Sequence, residues 1–131
     1  MMNLKENINK IFNAIENRSE YEKAYQQIRY LTPIDSELFE ILWPEAIKSQ
    51  SVERNVLLCA LTLYSLNLKC PIKLKNALLQ MYDEWEISIE EVPWYLVNQF
   101  SKEEIIETIF ELNLENDAKG RTIIYWVEKK K

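Results

Sequence analysis

Apolar residues recur along this chain at intervals of three and four, the spacing of one face of an α-helix. Leu4, Ile8, Ile11, Phe12 and Ile15 form a first stripe, and Asn3 is placed to cap it. Arg18 and Ser19 interrupt the pattern. Ser19 and Glu22 have capping-box spacing, and Tyr21, Ala24, Tyr25, Ile28 and Leu31 make a second stripe. Thr32-Pro33 ends it, because proline disfavours helical geometry in the residue before it. A third helix is expected from about Asp35 through Trp43, with Leu38, Ile41 and Leu42 inward. Pro44 is placed to break or kink it before Glu45 to Lys48 resume.

The second half continues the pattern. Ser51 is expected to cap the next segment, where Val56 to Leu61, Leu63 and Tyr64 are apolar nearly all round, the mark of a central helix. Asn67 to Cys70 read as a turn and Pro71 as a first helical residue, followed by Ile72, Leu74, Ala77, Leu78, Met81 and Trp85. A local echo comes next. Ser88-Ile89-Glu90-Glu91-Val92 returns thirteen residues later as Ser101-Lys102-Glu103-Glu104-Ile105. Each serine can accept from the amide three residues on, and Glu91 or Glu104 can reach back. Phe100 abuts Ser101, so these two helices must turn sharply. Asn113 to Gly120 form the last loop. Thr122 to Lys129 read as a closing helix, although the β-branched and aromatic run Thr122 to Val127 also suits a strand.

These elements sum to an all-α chain, one domain over residues 1–131. Seven to eight short helices stack as antiparallel hairpins, in a small α-solenoid or an irregular helical bundle. No clean long-period repeat is visible. The single glycine, Gly120, argues the same way, since nucleotide-binding and sandwich folds need several.

Composition removes most chemistry. There is no histidine, hence no Ser/His/Asp or Cys/His catalytic set and no Glu-x-x-His metal pair. Cys59 and Cys70 have neither redox nor zinc spacing, and a reduced, cytoplasmic protein is expected. Glu115 to Gly120 approach a calcium loop, but with Gly120 sixth, Lys119 takes a ligand position and Trp126 the bidentate one. No cofactor, metal or enzymatic activity is expected. The start, Met1-Met2-Asn3-Leu4-Lys5-Glu6, lacks a signal-peptide pattern, and Val56 to Tyr64 falls far short of a membrane span.

Charge is the informative feature. Between Asn76 and Ala118 stand eleven carboxylates and one base, Lys102, whereas residues 1–75 are near balance and residues 119–131 are basic. Such a field attracts basic partners and repels nucleic acid and anionic membranes. Ordinary surface helices pair Glu with Lys at i,i+4, and that relief is missing here. Trp43, Trp85 and Trp126 read as core or half-buried packing. Trp94 and Tyr95, adjacent on a helix, point about 100° apart, so one of them should face outward beside the acidic cap Glu90-Glu91. The expected binding face is Asp83, Glu84, Glu86, Glu90, Glu91, Trp94 and Tyr95, with Glu103, Glu104 and Glu107 as rim charges. The Lys129-Lys130-Lys131 tail reads as a helix end favoured by the dipole.

The segments Val92-Pro93-Trp94-Tyr95-Leu96-Val97, Phe100-Ser101-Lys102-Glu103-Glu104 and Thr122-Ile123-Ile124-Tyr125-Trp126-Val127 resemble the C-terminal half of small, acidic, all-helical immunity proteins. Some of these are HEAT-like, and they serve contact-dependent growth inhibition and related polymorphic toxin systems. The resemblance implies a monomer that binds and blocks a cognate basic toxin domain, often a nuclease. A helical adaptor with a different protein partner fits the same composition.

Overall fold

The computed structural model describes residues 3–48, 53–85 and 89–130. Among them are eight α-helices and no strand: α1 (Leu4–Asn13), α2 (Tyr21–Leu31), α3 (Asp35–Ala46), α4 (Glu53–Leu66), α5 (Leu74–Glu84), α6 (Glu91–Gln99), α7 (Lys102–Glu111) and α8 (Ala118–Lys129). The chain is all-α. No helix among the described residues is long and apolar enough to cross a membrane.

The helices form two rows. The even-numbered ones are neighbours in order, α2 on α4, α4 on α6 and α6 on α8. Consecutive pairs α1/α2, α3/α4 and α7/α8 pack as hairpins across the rows, and α5 packs on α7. The arrangement is that of a small helical bundle or solenoid. The core runs the length of it, from Ile8 and Phe12 through Leu38, Leu42 and Leu58 to Ile105, Ile109, Ile123 and Val127.

Several local expectations change on contact with tertiary structure. The capping box before α2 is Asn17 with Glu20, not Ser19 with Glu22: the Asn17 side chain accepts from the Ser19 amide, and Glu20 accepts from the Asn17 amide at 3.1 Å. Pro44 does not break α3, which runs on to Ala46. Proline forfeits the bond to the carbonyl four residues back, at Glu40. Both Pro44 and Glu40 are exposed, so water can serve that carbonyl while Trp43 and Ala46 pack inward. Pro71 stays in the linker, and α5 begins at Leu74 behind Lys73. The proposed caps Ser51 and Ser88 lie outside the described residues.

The closing segment is helical, and it starts earlier than the pattern suggests. Asp117 caps α8 by accepting from the Lys119 amide at 3.1 Å, so Gly120 lies inside the helix rather than in a loop. A Cβ on Gly120 would stand 1.9 Å from the Leu114 carbonyl oxygen, and only glycine admits that approach. Ile123 and Val127 are four apart and fully buried, so packing on one helical face overrides the β propensity of Thr122 to Val127.

The linker between α4 and α5 is held by polar contacts from distant helices. Asn67 closes α4 with a left-handed backbone, φ 49°. The Tyr95 hydroxyl donates to the Leu68 carbonyl at 2.7 Å, and the Cys70 amide donates to the Gln99 side chain at 2.8 Å. Asp35 accepts from the Lys69 amide and from Arg29, both at 2.7 Å. Each linker carbonyl or amide so engaged would otherwise compete for water.

Candidate partner-binding surface

Of the ten residues expected to form one binding face, the described ones lie on α5, at the start of and within α6, and on α7. Asp83 and Glu84 are exposed in the last turn of α5, where the helix dipole disfavours negative charge. The chain relieves this from a distance. Lys119 of α8 donates to the Tyr82 carbonyl at 2.8 Å and to the Asp83 carbonyl at 3.4 Å, serving orphan carbonyls of the helix end. The Tyr82 hydroxyl beside Asp117 holds the Asp117 carboxyl below its ordinary range. Lys48, paired with Glu45 at 2.8 Å, also lies within the field of Glu84. Two lysines from separate parts of the sequence therefore temper this end of α5. Glu86, named with them, lies outside the described residues.

Glu90 and Glu91 open α6 and are half-buried. Burial raises the Glu91 carboxyl above its usual range, and neighbouring Glu90 adds to the rise. Its own amide and Arg18 pull the other way. These two acids stand at the positive end of a helix and have a local reason to be there.

Trp94 and Tyr95 separate as adjacent helical residues must. Trp94 is half-buried on the even row. Its ring lies 6.1 Å from Tyr64 of α4 and 6.2 Å from Trp126 of α8, edge-on to the latter. Tyr125, half exposed, continues this strip 5.0 Å beyond Trp126. Tyr95 is not a surface residue. It is fully buried, packs 6.4 Å from Phe39 and 6.3 Å from Trp43, and spends its hydroxyl on Leu68. Burial drives its phenol pKa upward, so the hydroxyl keeps its proton. A partner cannot touch Tyr95 without unpacking the core, so its expected contact role is withdrawn.

The bare charge is on α7. Ser101 caps this helix, accepting from the Glu104 amide at 3.1 Å while its hydroxyl donates to the Glu104 carboxylate at 3.3 Å. Glu103, Glu104, Glu107 and Glu111 are all exposed. Among the described residues the ion pairs are Arg29–Asp35 and Lys48–Glu45, and neither involves these four. Glu103, Glu107 and Glu111 repeat every fourth residue, so like charges face one another along one stripe, costing about 0.2–0.5 kcal/mol per pair. Phe110 stands beside the stripe with 53% of its surface exposed. Phe110 lies outside the face expected from the charge pattern. Its signal was present, because Phe110 sits about 100° round the helix from Ile109, off the stripe that Ile105 and Ile109 bury. The Lys119 contact had no such local signal.

Among the described residues no group of three or more histidines, cysteines, aspartates or glutamates is placed to hold a metal ion. Both cysteines are free, and burial pushes the Cys59 thiol up to about 12. No family model, curated protein or solved structure matches this chain.

Proposed function

We propose that this protein is a monomeric, cytoplasmic binding protein that masks a basic protein partner, and that the partner is a toxin domain, as in the immunity proteins that the segments within 92–104 and 122–127 resemble. The observation that carries the reading is the α7 stripe: Glu103, Glu107 and Glu111 exposed in register, in no ion pair among the described residues, beside exposed Phe110. Like charge in register costs stability, and a basic partner recovers that cost on binding. An apolar side chain within a charged rim is the usual composition of a binding hot spot. A nuclease suits the charge best, since an active cleft that holds a polyanion is itself basic. The same field disfavours nucleic acid as a direct partner.

The test is co-expression with the product of the adjacent gene, followed by association kinetics. Charge reversal at Glu103→Lys and Glu107→Lys together should slow association about tenfold or more at low salt and leave dissociation nearly unchanged. An association rate that ignores both the substitutions and the ionic strength would remove electrostatic capture of a basic partner.

A further inference from the structure

A cavity of about 550 Å³ opens between α2 and α4, lined by Glu22, Tyr25, Gln26, Ser65 and Leu66. Its size falls within the ~300–1,000 Å³ that small-ligand sites occupy. Its lining combines acceptors, the Glu22 carboxylate, the Gln26 amide oxygen and the Ser65 hydroxyl, with apolar surface from Tyr25 and Leu66. Ser65 of α4 lies close enough to the Tyr25 phenol of α2 to act on it. Burial first, then the charges of Tyr21 and Glu91, push the Tyr25 phenol up to about 12, so it remains neutral and adds no charge of its own.

The charge around this cavity is negative. Glu22 lies in its wall, and the field of Glu91 reaches Tyr25. Glu90 stands next to Glu91. Arg18 is near enough to influence both Tyr25 and Glu91. Lys23, on the same helix, belongs to a different depression, with Glu20 and Gln27 against α1. A second cavity, about 290 Å³ among α1, α3 and α4, differs in kind: Lys5 and Glu45 both line it, and Glu45 is already paired with Lys48.

We propose that the α2/α4 cavity is an anchor pocket for an arginine side chain of the protein partner. The guanidinium sits against Glu22, Gln26 and Ser65, and the aliphatic stem lies on Leu66. Arginine fits better than lysine on two grounds. Its planar fork presents several donors at once to acceptors on two helices. Arginine is also prominent among residues that carry interface energy. This inference rests on the reading of the protein as a binder of a basic partner, and it names the chemistry by which one residue of that partner is recognised.

The test uses the full chain and a defined probe. Isotope-labelled protein is titrated with an acetylated, amidated Gly-Arg-Gly peptide up to ~10 mM, a range that captures a single weak anchor. The same peptide with citrulline, which keeps the shape and removes the charge, is the control. Saturable amide shifts are expected at Tyr25, Gln26, Ser65 and Leu66 with arginine and not with citrulline. Glu22→Gln, an exposed substitution, should weaken the arginine response about tenfold, the scale of one charge-assisted hydrogen bond. Equal responses to both peptides, shifts confined to other surfaces, or no saturable shift would overturn the pocket. The two proposals fail separately. If the α7 reversals slow partner capture but the peptide leaves α2 and α4 silent, only the pocket falls. If the peptide saturates at α2 and α4 but no basic partner associates, the pocket's arginine recognition stands and the partner reading falls.

Discussion

The indole N–H of Trp94 donates a 3.0 Å hydrogen bond to the backbone carbonyl of Trp126. That carbonyl belongs to the last turn of α8, where an α-helix leaves its final carbonyls without intrahelical partners. A side chain from α6 thus caps α8, and the two tryptophan rings meet edge-on over the same junction. Trp94→Phe keeps most of the ring and removes the donor. It is expected to destabilise the fold by about 1 kcal/mol, read as a lower urea midpoint at unchanged slope.

Tyr95→Phe tests the neighbouring residue for the opposite reason. The Leu68 carbonyl would lose its donor in a fully buried place, at an expected cost of about 1–3 kcal/mol. Association with a basic partner should keep its wild-type rate, because no part of Tyr95 reaches the surface. A slowed association with unchanged stability would return Tyr95 to the interface.

Gly120→Ala sets two effects against each other. Alanine is favoured over glycine within a helix by about 1 kcal/mol. The added Cβ would stand 1.9 Å from a backbone carbonyl, which no rotamer change relieves. Overpacking of this kind costs about 1–3 kcal/mol, and a clash with backbone lies at the upper end. Net destabilisation of about 2 kcal/mol is expected, and a variant as stable as the parent would show that the loop at Leu114 yields freely.

Asp35 governs a pH dependence. Burial raises its carboxyl, but the Lys69 amide and Arg29 outweigh that and hold it below the ordinary value. The folded state therefore binds the proton less readily than the unfolded one. The stabilisation is present above the ordinary aspartate value, ~3.9, and is lost as pH falls through the depressed folded value. Glu91, raised by burial, pulls the other way in the acid range. Comparing the parent with Asp35→Asn isolates the first effect. With the side chain about a third exposed, the substitution is expected to cost about 1 kcal/mol at neutral pH, shrinking as the solution is acidified below pH ~3.9. A difference constant from neutral to strongly acid pH would contradict the Arg29–Asp35–Lys69 account.

The helices were legible in the sequence because their causes are local. Asn3 and Ser101 cap through amides three residues away, and Ile8 with Phe12 or Ile105 with Ile109 mark buried faces by spacing alone. Spacing also required that Trp94 and Tyr95 face different ways. Which of the two is buried was decided by Phe39 and Trp43, more than fifty residues earlier, closing over Tyr95. The excess of carboxylates was plain in the sequence, but its distribution was not. Lys119 folds back onto the end of α5 from thirty-six residues away, which leaves α7 as the bare acidic helix. The cavity between α2 and α4 likewise joins Tyr25 to Ser65, forty residues apart, with no mark in either segment. Periodicity and capping act within a turn or two of helix, so the elements and their inward faces follow from local sequence. Contacts across the rows depend on how those faces stack, so where charge is relieved and which aromatic is hidden follow from the assembled fold.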